Sequence, residues 1–120
     1  MENEGNGPNL EDLMSMGIQT AKRGNKQNAR MFFEQILAAD AENERAWLWM
    51  AAVAESLPER IRYLNTVLRI NPQNPTALRE LKQIREQRES NNTLVIRYGA
   101  IGLGLVLILV LLIVVLAVAL

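Results

Sequence analysis

Residues 99–120, "GAIGLGLVLILVLLIVVLAVAL", carry no charged or polar side chain. At roughly 1.5 Å per residue, a helix of that length matches the roughly 30 Å hydrocarbon core of a bilayer. A lone segment crosses lipid only as a helix, because only a helix satisfies its own backbone hydrogen bonds there. Leu, Ile and Val dominate it, and each adds roughly −0.3 to −0.6 kcal/mol to insertion. Burial inside a soluble core fails on size: a domain of about 90 residues cannot enclose a helix that is apolar all round. Residues 94–120 are therefore expected to form a single transmembrane helix, with Tyr98 at the interface. Ala100 and Gly104 form a small-xxx-small pair, a candidate packing face between membrane helices.

The apolar fraction of 49% averages two unlike parts. Residues 1–93 are polar and charged, and the span is neither. Arg79, Lys82, Arg85, Arg88 and Arg97 precede the apolar run and no basic residue follows it. The positive-inside rule then places the N-terminal domain in the cytoplasm, with a single-pass tail anchor in the cell (inner) membrane. The opening "MENEGNGPN" is acidic and lacks the apolar stretch of a signal peptide, so residues 1–9 are expected to be disordered. Lys plus Arg equal Asp plus Glu at 13 each, so no charge excess points to nucleic acid. With no Cys there is neither a disulfide framework nor thiolate chemistry.

The polar part reads as helices at the 3.6-residue period. In "LEDLMSMGIQTA", Leu10, Leu13, Met14, Gly17, Ile18 and Ala21 recur at steps of three and four. Asn9 is its expected N-cap, with Asp12 three residues on in a box-like start. "KRGN" breaks this helix, and Gly24 suits the left-handed conformation that ends one. A second helix is expected from about Lys26 to Ala39. A third, "ERAWLWMAAVAES", starts at about Glu44. Pro58 suits the first turn of a fourth. "NPQNP" is a turn by composition, followed by a fifth helix, "TALRELKQIREQRE". Residues 90–93, "SNNT", are expected to link it to the span.

The residues from Leu10 onward carry a resemblance. Leu13, Met16, Gly17 and Thr20, then Ala29 and Phe33, fall at the places of W-x2-L-G-x2-Y and A-x3-F. On those residues the chain resembles a tetratricopeptide repeat, with Asp40-Ala41 where Asp-Pro is usual. A second, shorter unit puts Trp47 at the Trp place, Met50-Ala51 at Leu-Gly, Ala54 at Tyr and Pro72 at the final Pro. The resemblance implies an all-α fold: about two such repeats plus a capping helix over residues 10–89. Small Gly17, Ala29 and Ala51 would let helices approach, and Phe33, Trp47 and Leu64 would fill the space between them.

Such arrays bind proteins or peptides in a groove lined by the first helix of each unit. Here the resemblance implies a groove of Glu11, Met14, Ile18, Ala21 and Lys22, then Arg45, Leu48, Ala52 and Glu55, then Thr76, Arg79 and Gln83. Met14, Ile18 and Leu48 could equally be part of the core. A subfamily clamps a C-terminal carboxylate with Lys and Asn; those places hold Met14, Ile18 and Trp49 here, so that clamp is not expected. The sequence has no His, and Asp12 and Asp40 are explained as cap and turn residues. The Glu residues lie on exposed faces without an evident constellation, and "GAIGLG" lies in the apolar run, so no catalytic, cofactor or metal site is expected.

The expected role is a membrane-anchored protein-interaction module presenting its groove to the cytoplasm. The alternative is a small accessory or assembly subunit of a larger membrane complex. In layout alone the chain also resembles the tail-anchored fission adaptors of mitochondria, though those usually carry basic residues after the span. The expected partners are a protein or peptide and the membrane, not nucleic acid. Two units are fewer than such arrays usually need, so self-association or stabilisation by a partner is expected, with Met14, Ile18 and Leu48 at the contact.

Overall fold

In the computed structural model, residues 9–120 are described. The expectation of disorder for residues 1–8 lies outside the described residues, and Asn9 is an ordered helix cap. The architecture is all-α. The helices are α1 (Leu10–Lys22), α2 (Lys26–Ala39), α3 (Glu44–Ala52), α4 (Leu57–Ile70) and α5 (Pro75–Ala119).

Each helix begins on a side chain that fills an orphan backbone donor. The side-chain oxygen of Asn25 accepts from the Asn28 amide at 3.2 Å, Asn43 from Ala46 at 2.9 Å, Ser56 from Glu59 at 3.3 Å and Asn74 from Ala77 at 2.9 Å. Asn9 accepts from Glu11 at 3.1 Å, one residue earlier than the box-like start with Asp12 would have it. Gly24 takes φ +85°, the left-handed turn expected between α1 and α2. The third helix stops at Ala52, four residues short of the sequence expectation. Ser56 has to be extended to cap α4 (φ −137°, ψ 156°), so residues 53–56 make the turn instead.

The chain divides into two compact units, the first closing at Leu81 and the second running Lys82–Leu120. In the first, α1 and α2 form one hairpin, α3 and α4 a second, and α2 packs on α3. Phe33, Ile36, Leu64 and Val67 are wholly buried. Each such side chain contributes about 1.5–3 kcal/mol before conformational entropy is counted. Gly17 admits the Phe33 ring so closely that an added Cβ would lie 2.6 Å from Phe33 Cε1. Trp49 stacks on the same ring, with centroids 5.9 Å apart and planes at 17°. Trp47, expected to be buried between helices, is instead half-buried: its indole N–H donates to the Ala41 carbonyl at 2.8 Å, and its ring leans on Tyr63 at 5.7 Å. An indole keeps its donor satisfied, and a turn carbonyl at the edge offers what the apolar centre lacks.

The second unit is helical from Lys82, and its apolar run is long and apolar enough to cross a membrane. Within this unit Leu103, Leu109 and Val115 are exposed in every direction around the helix. Residues 90–93 do not form the expected linker; they continue the helix, and the Thr93 hydroxyl donates back to the Glu89 carbonyl at 2.8 Å. The division between the units falls at Leu81, inside α5, rather than at residue 89.

Candidate functional site

The residues expected to line a groove come from the first helix of each hairpin. On α1, Glu11 and Lys22 are exposed, Ile18 and Ala21 are half-buried, and Met14 is buried at 3%. Met14 is therefore a core residue and not a groove contact. The apolar stripe of α1 is wide, and Leu13, Met14 and Gly17 form its covered centre. On α3, Arg45 and Ala52 are exposed and Leu48 is half-buried; Glu55 is exposed in the turn that follows. Trp49, also expected at a groove place, is half-buried in its stack on Phe33.

Two of these residues meet directly: Arg45 Nη1 donates to Glu11 Oε1 at 3.1 Å. Both side chains are more than half exposed, so the pair is worth at most about 1 kcal/mol and orients more than it stabilises. It sets the start of α1 beside the start of α3. Thr76 and Arg79 follow on α5, half-buried and exposed respectively. Gln83 and the small pair Ala100 and Gly104 belong to the second unit; Gln83 and Ala100 are exposed and Gly104 is half-buried.

Sequence reasoning placed the Glu residues on open faces without partners. The first unit corrects this for Glu59, Glu44 and Glu80. Arg30 Nη2 lies 2.5 Å from Glu59 Oε1 and donates to the Tyr63 hydroxyl; its Nε donates to Glu34 at 3.1 Å. Tyr63 Oη donates to Glu59 Oε1 at 2.9 Å, and the Glu55 amide to Glu59 Oε2 at 3.0 Å. The Arg30 guanidinium first, then the Glu55 amide and the Tyr63 hydroxyl, hold the Glu59 carboxyl at about 2. The same hydrogen bond to Glu59 raises Arg30 above its ordinary value. Burial, and then its bond to Glu59, raise the Tyr63 phenol. This cluster ties α2 to α4 and keeps its charges fixed near neutral pH. Its polar groups bond one another across the two helices, which makes it a clamp between them.

A second cluster joins α3 to the start of α5. Glu44 Oε1 accepts from Asn71 Nδ2 at 2.8 Å and from Asn74 Nδ2. The Asn74 amide, then that of Asn71, lower the Glu44 carboxyl. Asn74 is buried and also caps α5, so one side chain fixes where α5 starts against α3. Arg60 Nη2 donates to Glu80 at 2.7 Å and ties α4 to the next turns of α5. These partners lie 20 to 33 residues apart in the chain, a separation that helical period alone cannot read.

No protein-family model matches the chain, and no curated protein matches it.

Proposed function

We propose that the first unit is a short tetratricopeptide-like array that binds a protein or peptide, held at a membrane by the apolar run of α5. The observation that carries this reading is the pairing of the helices. Two hairpins pack through Gly17, Ala29, Ala51 and Phe33, and leave Glu11, Ile18, Arg45, Leu48 and Ala52 of the two first helices wholly or partly uncovered. Those residues mix charge with a modest apolar area, which suits an amphipathic helix or an extended segment. Arg79, Lys82, Arg85, Arg88 and Arg97 on the N-terminal flank of the run favour a cytoplasmic first unit.

The accessory-subunit reading draws on a different observation. A Cβ added at Gly99, Gly102 or Gly104 would meet nothing within 4 Å. Glycine in a helix interior costs roughly 1 kcal/mol relative to alanine, and close approach of another membrane helix would offset that cost.

Extraction in mild detergent followed by copurification separates the two readings. A soluble partner that is lost on Ala52→Arg, with the melting curve of the chain unchanged, supports the interaction module. A stoichiometric membrane partner that survives Ala52→Arg and is lost on Gly104→Leu overturns it in favour of the subunit reading.

A further inference from the structure

The two hairpins of the first unit match each other place for place, and only the second is covered at those places. Met16 and Met50 each lie seven residues beyond the cap of their helix, Asn9 and Asn43. Phe32 and Tyr63 likewise lie seven beyond Asn25 and Ser56. In the second hairpin these places are closed: Met50 is 3% exposed and Tyr63 6%, and Arg30 of α2 donates to the Tyr63 hydroxyl. In the first hairpin Met16 is 42% exposed, Phe32 is half-buried and neighbouring Met31 is exposed. Met31 and Phe32 border a shallow concavity with Thr20, Arg23, Asn28 and Gln35. The places that the second hairpin closes are therefore open on the first, among the described residues. On α1 this flank faces away from Glu11 and Ile18, which share the side beside α3.

We propose that this flank is the contact between two copies of the chain related by a two-fold axis. The charge on it selects a second copy as the occupant. Asp12 and Arg23 stand on the same flank of α1 as Met16, about three helical turns apart. Both are exposed, and among the described residues neither makes an ion pair. A two-fold that lays α1 antiparallel on its copy sets Asp12 opposite the copy's Arg23, and Arg23 opposite the copy's Asp12. On α2 the matching stripe is Asn28, Phe32, Gln35 and Ala39, which has no charge to oppose itself. One axis serves both helices. The middle of the Asp12–Arg23 stripe falls at Gly17 and Ile18, and Gly17 lies against the Phe33 ring, so that middle is level with Phe32 on α2. Phe32 then meets its own copy at the axis, and Met16 of each copy faces the concavity beside Thr20 of the other. A face two helices wide and about 20 Å long falls short of the roughly 800 Å² per partner of a standard interface, so the pair is reversible. The flank beside α3 stays open in the pair, so pairing leaves Glu11, Ile18 and Arg45 uncovered.

The chain has no Cys, so Asn65→Cys, exposed on α4 and outside the face, carries a donor or an acceptor fluorophore in separate preparations of the full chain. Energy transfer between the two in mild detergent, followed over a concentration series, reads the pairing. Asp12→Arg sets Arg against Arg at both contacts, and Arg23→Asp sets Asp against Asp. Each variant alone should pair more weakly by on the order of tenfold to a hundredfold. Donor-labelled Asp12→Arg mixed with acceptor-labelled Arg23→Asp restores both contacts, so transfer should return towards that of the unaltered chain. This rescue should fade at about 0.5 M salt. Met16→Lys, at an exposed place, should abolish transfer while keeping the helical circular dichroism. Single reversals that leave transfer unchanged, or a mixture that pairs no better than its two components, overturn the two-fold contact. Transfer that survives Met16→Lys and is lost on Gly104→Leu also overturns it, and assigns the association to the apolar helix. The absence of transfer at every concentration of the unaltered chain overturns pairing altogether.

Discussion

Gly17→Ala tests the packing on which the array rests. The new Cβ would lie 2.6 Å from Phe33 Cε1 and 2.9 Å from Cζ, about 1 Å inside carbon contact distance. Phe33 has nowhere easy to go: it is wholly buried and backed by the Trp49 ring. Overpacking of this kind costs about 1–3 kcal/mol. Replacing glycine in a helix interior by alanine returns about 1 kcal/mol. The net is therefore a loss of about 0–2 kcal/mol, or up to roughly 8–16 °C for a domain of this size. The sign alone does not identify the cause, so the decisive comparison is a double-mutant cycle. In a Phe33→Leu background the ring edge is gone, and Gly17→Ala should then stabilise by about 1 kcal/mol. The coupling between the two sites should be about 1–3 kcal/mol. The assay is urea unfolding of the full chain in mild detergent, followed by tryptophan fluorescence. Both tryptophans, Trp47 and Trp49, lie in the first unit, so the signal reports the array and not the apolar helix. If Gly17→Ala stabilises equally in both backgrounds, the Phe33 ring does not sit against Gly17 and the assigned packing of the first hairpin is wrong.

Gly24→Ala should lower stability by about 1–2 kcal/mol through φ +85° alone, since nothing lies near its Cβ position, and Gly24→Asn by less; thermal melts of the two variants check this. Glu59 has a folded value near 2 against an ordinary 4.5, so its contribution is full above about pH 5 and is lost as pH falls toward 2. Glu59→Gln should make the acid limb of melting temperature against pH shallower, though not flat, because Glu44 is also held low by Asn74 and Asn71. In residues 99–120 the 16 Leu, Ile and Val side chains together favour insertion by about 5–10 kcal/mol, and a central Arg costs about 2.5–3.5. Leu109→Arg should therefore stay in the carbonate-resistant membrane fraction, and Leu105→Arg/Leu109→Arg/Leu112→Arg should leave it; release of the single variant would contradict a transmembrane run.

What the sequence made legible was local chemistry. Asn9, Gly24 and Pro58 act within a residue or two of where they sit, so their caps and turns could be placed before any coordinates. The places of Gly17, Ala29 and Phe33 came from the resemblance, and they fit a close helix crossing, which needs small residues opposite a large one. The burial of Met14 was not legible, because Leu13 and Met14 are neighbours on one wide apolar stripe, and the stripe does not say how much of it a partner helix covers. Trp47 and Trp49 both end half-buried for a similar reason: one stacks on Phe33 and the other donates to the Ala41 carbonyl, and helical period gives the position of neither partner. The Arg30–Glu59–Tyr63 cluster depends on two hairpins meeting, and no periodicity within one helix encodes that.

The continuity of α5 shows how composition can mark a boundary that the backbone does not have. Ser90, Asn91, Asn92 and Thr93 each cost about 0.5–0.7 kcal/mol in a helix relative to alanine, roughly 2–3 kcal/mol together. That is a weak penalty, because helix is already nucleated on both sides and each propagated residue recovers a backbone hydrogen bond. A true stop needs proline, or glycine in the left-handed region, and residues 76–98 contain neither. The polar run therefore changes the solvent that the helix prefers without ending it. Length adds to the argument: the apolar run must be helical if it enters lipid, and a helix that emerges into water keeps propagating until a residue stops it. Asn74 and Pro75 bound the helix at its other end, where the Asn74 side chain caps the Ala77 amide and Pro75 has no amide hydrogen to leave unpaired.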